Sequence, residues 1–207
     1  MTEFKIFQLE KNNEDIRKTV LTNVVKMLTE RKLFDHENLD QNIEKIIKMH
    51  SDDFLYMIDL NENKKCAIKI FNQKINGISK QSGISDFLNK HRDIHKIIIV
   101  KSITTKAEQH IRNNYSNSEI FLESYLMSDL IGFVLAPRYE VLDRNSDEYK
   151  TFYEHYQCKK RNVPKINITI NPIDPMAKYY NLKKNDIVRV IRPSETSGES
   201  AFYRLAV

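Results

Sequence analysis

An acidic residue followed a short way on by Glu-x-Lys is one pattern with which metal-dependent nucleases hold Mg²⁺ and activate water. Asp53 and Glu62-Asn63-Lys64 approximate it. That chemistry needs its groups fixed on a strand, whereas Glu62 and Lys64 fall where a hairpin turn is expected, so the triplet reads as a solvated turn. His91-Arg92-Asp93 has the order of a kinase catalytic loop, yet the glycine loop, the metal-binding Asp-Phe-Gly and the downstream Asn are missing. His91 and His95 stand one turn apart if that stretch is helical, but no third ligand accompanies them, and they read as solvent-facing. There is no Walker loop, no Gly-x-Gly-x-x-Gly, no Gly-x-Ser-x-Gly and no His-Glu-x-x-His, and only 4 glycines supply any phosphate-cradling loop. The residues thus point to no catalytic group, no cofactor and no metal.

Two clusters have binding chemistry instead. Thr104, Thr105 and Lys106 combine hydroxyls, an ammonium and an expected helix N-terminus, which suits DNA phosphates without reading sequence. Their alternative role is a plain helix cap, since Thr105 and Glu108 have capping-box spacing. Arg192-Pro193-Ser194-Glu195-Thr196 leaves an expected strand into a proline-stiffened turn. Its Arg, hydroxyls and carboxylate suit directed bonds to a partner, and a stiff loop loses less entropy on docking; alternatively Arg192 and Glu195 pair within the hairpin.

The elements that must position these residues follow from periodicity. Ile16, Val20, Val24, Met27 and Leu28 give a helical stripe over Asn13 to Glu30, and Leu39, Ile43, Ile46 and Ile47 give a second after Asp35. Phe54 to Leu60 and Cys66 to Phe71, separated by an Asn-rich turn, predict a hairpin. Ile84, Phe87 and Leu88 predict a helix leading into Ile97-Ile98-Ile99-Val100, a run apolar on both faces as a central buried strand requires. A helix to about Asn114 and a strand at Ile120 to Leu122 complete a small α/β unit. A linker is expected around Ala136-Pro137-Arg138, then a tyrosine-rich helix from Ser146 to Tyr156 and the basic turn Lys159-Lys160-Arg161. Asp174 before Pro175 is an N-cap followed by a first-turn proline, predicting a short helix. Strands are expected at Asp186 to Arg192 and Ser200 to Val207, joined by Pro193 to Glu199 with Gly198 in the turn. The expected class is α+β, in two domains, 1–133 and 134–207.

Composition sets bounds. The 207 residues are 41% hydrophobic and 29% charged, ordinary for a globular chain. No apolar run approaches a membrane span, and Met1 to Glu10 lacks the basic-then-apolar order of a secretory signal. Cys66 and Cys158 are far apart with no partner at zinc-ligand spacing, so inert thiols are expected. A net charge of +5 comes from 33 basic and 28 acidic residues, which permits contact with a polyanion but forms no dense basic arm.

Several ordered segments near the C-terminus carry a resemblance. Val163-Pro164-Lys165-Ile166, Asp174-Pro175-Met176-Ala177-Lys178-Tyr179, Leu182-Lys183-Lys184, Val190-Ile191-Arg192-Pro193-Ser194-Glu195-Thr196-Ser197-Gly198 and Tyr203-Arg204-Leu205 closely resemble the C-terminal domain of the shared fifth subunit of eukaryotic DNA-directed RNA polymerases, a family with an archaeal polymerase counterpart. Upstream, the two-helix opening, the Ile97 to Val100 strand with Thr104-Thr105-Lys106-Ala107, and Leu130 to Val141 are collinear with that family's jaw domain and interdomain crossing. Asn167 to Ile173 is longer than the family's connection, and Glu199-Ser200-Ala201-Phe202 replaces a more basic and aromatic pattern.

The resemblance implies a non-catalytic scaffold. Its C-terminal domain would anchor on the largest polymerase subunit through Asp174, Pro175, Arg192, Pro193, Ser194, Glu195, Thr196, Gly198, Tyr203 and Arg204, beside small subunits including the omega-like one. Its N-terminal domain, similar to a restriction-nuclease-like fold without the active site, would form a jaw with Thr104, Thr105 and Lys106 near downstream double-stranded DNA. No membrane partner is implied. Abundant Lys, Asn and Ile fit an AT-rich genome; the implied location is the nucleus for a cellular protein, or the virion and cytoplasmic viral factory for one from a large DNA virus.

Overall fold

The computed structural model describes residues 12–49, 53–61, 64–78, 83–128, 137–169 and 173–207, the side chain of residue 36 aside. Glu62, Asn63, the stretch 129–136, residues 170–172 and the first eleven residues, each invoked above, lie outside the described residues. The class is α+β, and the chain divides into two compact units, Met1–Ser128 and Asp129–Val207. Among the described residues no helix is long and apolar enough to cross a membrane.

In the first unit, helix α1 (Asn13–Glu30) begins at Asn12, whose side chain accepts from the Asp15 amide at 2.7 Å. Acidic Glu14 and Asp15 in its first turn complement the helix dipole. Its buried stripe, Val20, Leu21, Val24, Val25, Met27 and Leu28, is the one the periodicity predicts. Helix α2 (Leu39–Lys48) buries only Ile46 fully and leaves Lys45 and Lys48 exposed. Strands β1 (Leu55–Asp59) and β2 (Lys65–Ile75) form the expected antiparallel hairpin, with Ile58 opposite Cys66. Helix α3 (Ile84–Lys90) leads into β3 (His95–Ile103), then come α4 (Thr105–Asn114), β4 (Ser118–Leu122) and the single turn α5 (Glu123–Leu126). The sheet order is β1-β2-β3-β4, with β2, β3 and β4 parallel. Five consecutive residues of β3, Lys96 to Val100, are buried, as a central parallel strand covered on both faces requires.

Alternation assigns the two faces. Ala67, Phe71, Ile98, Val100 and Ile120 pack with Ile84, Phe87 and Leu88 of α3 and with Ala107 and Ile111 of α4. Cys66, Ile68, Ile70, Ile97, Ile99 and Phe121 point the other way. On that side Arg31, at the end of α1, grips Glu119 of β4 with two bonds of 2.8 Å, and His95 Nε2 approaches the same carboxylate to 2.9 Å. Burial alone would push the Glu119 carboxyl up, but the adjacent Arg31 and His95 reverse this and hold it at about 2. On the α3 face Lys96 is only 1% exposed. Its ammonium donates to the carbonyls of His91 (2.8 Å), Ile94 (2.9 Å) and Arg92 (3.3 Å), with burial pulling its pKa down.

In the second unit a four-stranded sheet runs β5 (Arg138–Val141), β7 (Ile187–Ser194), β8 (Gly198–Ala206) and β6 (Lys165–Ile166). The first two junctions are antiparallel and the last is parallel. Helix α6 (Asp147–His155), capped by Ser146, covers one face through Phe152, against Ile187, Leu205 and Leu142. Helix α7 (Pro175–Tyr179) covers the other through Ala177, with Leu182 beside it, against Val188, Val190 and Ala206.

Three expectations need correction. Arg138, read as part of a linker, is the first residue of β5, and β6 has no counterpart in the predicted elements; both are short edge strands whose pairing comes from distant sequence. The last hairpin is longer than expected: Pro193 pairs with Glu199 and Ser194 with Gly198, so the turn is only residues 195–197. The cap of α4 is Thr104, which accepts from the Ala107 amide at 3.4 Å, so Thr105 is already the first helical residue.

Candidate functional site

The nuclease-like residues do not converge. Asp53 precedes β1 and Lys64 follows it, so five extended residues, about 17 Å at ~3.3 Å each, hold them apart. Asp53 is instead paired with Lys69, Nζ to Oδ2 at 2.6 Å, and the same ammonium donates to the Asp53 carbonyl. Glu62 lies outside the described residues. His91 caps α3 and His95 opens β3, with a turn between them rather than a helix, so the helical spacing needed for shared ligation is absent. Among the described residues no three His, Cys, Asp or Glu side chains gather as metal ligands. Cys66 is fully buried, and burial pushes its thiol up to about 12.

At the start of α4, the Thr104 hydroxyl is committed twice: it accepts from Ala107 and donates to the Asn76 carbonyl at 3.0 Å. Thr105 and Lys106 are exposed and carry no such commitments. The cap reading therefore holds for Thr104, while the exposed hydroxyl and ammonium beside it are available to a ligand.

The C-terminal candidates separate onto two faces and a tip. Successive residues of a strand point to opposite sides, so Arg192 of β7 and Arg204 of β8 share the α7 face. There the Arg192 guanidinium lies 4.5 Å, and the Arg204 guanidinium 5.8 Å, from the centre of the Phe202 ring. Tyr139 stacks on Tyr180 beside them, centroids 6.0 Å apart and planes 24° from parallel. Burial, then the Asp174 carboxylate, raises the Tyr139 hydroxyl, while Arg204 and Arg192 act against them, which puts all four groups in one electrostatic neighbourhood. Asp174 itself caps α7, accepting from Met176 (2.8 Å) and Ala177 (3.2 Å), with Pro175 in the first turn.

Tyr203 points the other way. It packs on Phe152 and on Tyr156, each ring centre 5.0 Å away, and accepts the Tyr156 hydroxyl at 2.9 Å. Around it the charges are internally matched: Arg189 bonds Glu140 (2.8 Å) and Glu148 (2.9 Å), and Arg138 bonds Glu140 (3.1 Å). The Arg189 bond, against a smaller burial effect, holds Glu140 below the usual carboxylate range.

At the tip, the Ser194 and Thr196 hydroxyls are 3.3 Å apart, Ser194 accepts from the Ser197 amide, and Gly198 takes a left-handed φ of 75°. Glu195 is exposed and, among the described residues, forms no ion pair with Arg192. The hairpin-internal pairing weighed from sequence is therefore absent, and Arg192 is held by a ring instead. Sequence reasoning missed Phe202, Tyr139 and Tyr180 as members of this surface. The signal was available for Phe202, because Phe202 and Arg204 are two apart on one strand; Tyr139 and Tyr180 are joined only by the fold.

Comparison with known proteins fits this division. Residues 129–206 match the family model described as RNA polymerase Rpb5, C-terminal domain. Across 212 residues, covering 98% of this chain and 97% of the relative, the sequence is 34% identical to DNA-directed RNA polymerase subunit 5 of Acanthamoeba polyphaga mimivirus. It is 29% identical over 209 residues, 93% of this chain and 94% of the relative, to subunit RPABC1 of DNA-directed RNA polymerases I, II and III of Caenorhabditis elegans. An archaeal protein, subunit Rpo5 of Methanococcoides burtonii, is 35% identical over 78 residues, which is 92% of that protein and 38% of this chain. A full-length likeness of this kind, with the C-terminal unit matching the family's own domain, makes the chain a member of the RNA polymerase subunit 5 family.

Proposed function

We propose that the chain is a non-catalytic subunit of a multisubunit DNA-directed RNA polymerase, anchored through its second unit on the largest subunit and presenting its first unit as part of the jaw around downstream DNA. The observation that carries the reading is the near end-to-end likeness to a viral polymerase subunit 5. For the anchor, the support is a rigid, exposed Arg192–Phe202–Arg204 surface next to a short, stiff hairpin tip. Small subunits, including the omega-like one, are the expected neighbours. For the jaw, the support is the start of α4, where Thr105, Lys106 and the helix dipole face solvent and suit phosphate oxygens. The location follows the polymerase: the virion and cytoplasmic viral factory for a viral enzyme, the nucleus for a cellular one.

The test is affinity purification of the tagged protein from its native source with a high-salt wash, then mass spectrometry and promoter-independent RNA synthesis. Stoichiometric recovery of both large polymerase subunits with activity is expected; recovery of the chain alone would refute the reading. Photoreactive downstream DNA in the assembled enzyme should label the loop at residues 104–106, and labelling confined to other subunits would remove the jaw assignment.

A further inference from the structure

The two faces of the C-terminal sheet treat their arginines differently. On the α6 face Arg189 and Arg138 are bonded to carboxylates of the same unit, and so is Arg144, to Asp186 at 2.6 Å. On the α7 face no carboxylate among the described residues pairs with Arg192 or Arg204. Both are instead laid against one phenyl ring, which keeps two like charges within about one screening length, ~10 Å at 0.1 M salt. Such a pair repels itself in the free chain and gains when an anion arrives between its members. Stacking also fixes two planar guanidinium forks in advance, so less side-chain entropy is lost when carboxylates bind them bidentately.

We propose that the α7 face is a docking site for an acidic segment of the largest polymerase subunit, one that brings paired carboxylates to Arg192 and Arg204 and an apolar side chain to the partly exposed Phe202 and Tyr139. This deepens the anchor reading and rests on it. A protein segment fits better than nucleic acid for two reasons. The surface between the arginines is aromatic and continuous with the Val188, Val190 and Ala177 core, and Asp174 stands in the same neighbourhood, where it would repel a phosphate backbone. The proposal also separates the ten anchoring candidates: Arg192, Arg204 and Asp174 belong to the docking face, while Tyr203 supports the fold from behind.

The test uses the assembled enzyme carrying p-benzoylphenylalanine at position 200, which shares the Arg192 face, or at position 156, on the opposite face. Position 200 should cross-link to the largest subunit within a peptide rich in Asp and Glu. In parallel, Arg192→Ala with Arg204→Ala should release the subunit from the salt-washed polymerase about tenfold faster or more, with an unchanged melting temperature. Replacing both by Lys should recover only part of the retention, because charge returns without the fork, and Tyr203→Phe should leave it unaltered. Cross-links to the largest subunit only from position 156, or from position 200 to nucleic acid, would overturn the proposal while leaving the polymerase assignment intact. Failure of the unmodified protein to co-purify with polymerase would overturn both.

Discussion

Replacing Arg31 by Ala tests the charge arrangement that ties α1 to β4. Arg31 and Glu119 have side chains only 6% and 12% exposed, joined by two bonds of 2.8 Å. Holding Glu119 at about 2 rather than its ordinary 4.5 corresponds to about 3 kcal/mol, at ~1.4 kcal/mol per pH unit. The folded pKa lies below the unfolded one, so this contribution is fully present above about pH 5 and is lost as the pH falls towards 2. Removing one partner of a buried pair costs about 3–5 kcal/mol. The lower end is expected at pH 7, because an unpaired Glu119 can take up a proton instead of remaining charged. Urea denaturation of the full chain by circular dichroism gives the size of the loss, and hydrogen exchange of β3 and β4 peptides assigns it to this unit. Two further results should follow: Arg31→Ala removes the acid-induced loss between pH 5 and 2, and adding Glu119→Gln restores about 1 kcal/mol or more. A loss below about 1 kcal/mol, with additive single and double variants, would show that the pair behaves as a screened surface contact and would refute the reasoning.

Thr104→Ala should lower stability by about 1 kcal/mol through loss of the α4 cap, whereas Thr105→Ala should change it by less than about 0.5 kcal/mol; equal effects in thermal melts would restore the cap to Thr105. Ellman's reagent should modify one thiol of the native chain, Cys158, and two after guanidinium unfolding, because Cys66 is buried with its pKa at about 12; two fast native thiols would contradict this. Gly198→Ala meets no neighbouring atom, so its cost should be the torsional ~1–2 kcal/mol of a positive φ, with the hairpin tip unchanged by NMR shifts outside residues 193–200.

The sequence made local patterns plain because their information is local. The stripe of α1, the doubly apolar β3 and the Asp174-Pro175 start of α7 each need only neighbouring residues to be recognised. Edge strand β6 has two residues and acquires its identity from β8, some forty residues later, so no periodicity could mark it. The pairing of Arg31 with Glu119 spans 88 positions and is set by where α1 lies on the sheet. The cap of α4 was misplaced by one residue because Thr104 and Thr105 are chemically identical, and the Asn76 carbonyl, contributed from outside the helix, fixes which hydroxyl serves. The candidate anchor was found as a string of residues, but strand pleating divides that string between two surfaces. Tyr203 and Arg204, adjacent in sequence, therefore serve different neighbours.

The ammonium of Lys96 has a consequence for how the first unit moves. Its three acceptors belong to the single stretch 91–94 that links α3 to β3, and the site is closed to water. If that stretch slid partway, the cation would lose acceptors with no solvent to replace them, a high-energy condition in a low-dielectric interior. Gradual bending of this junction is thereby disfavoured: it is either seated or fully opened to water. A force applied at the α3 end would then be transmitted to the central strand as by a rigid coupling, up to a threshold at which the junction gives way all at once.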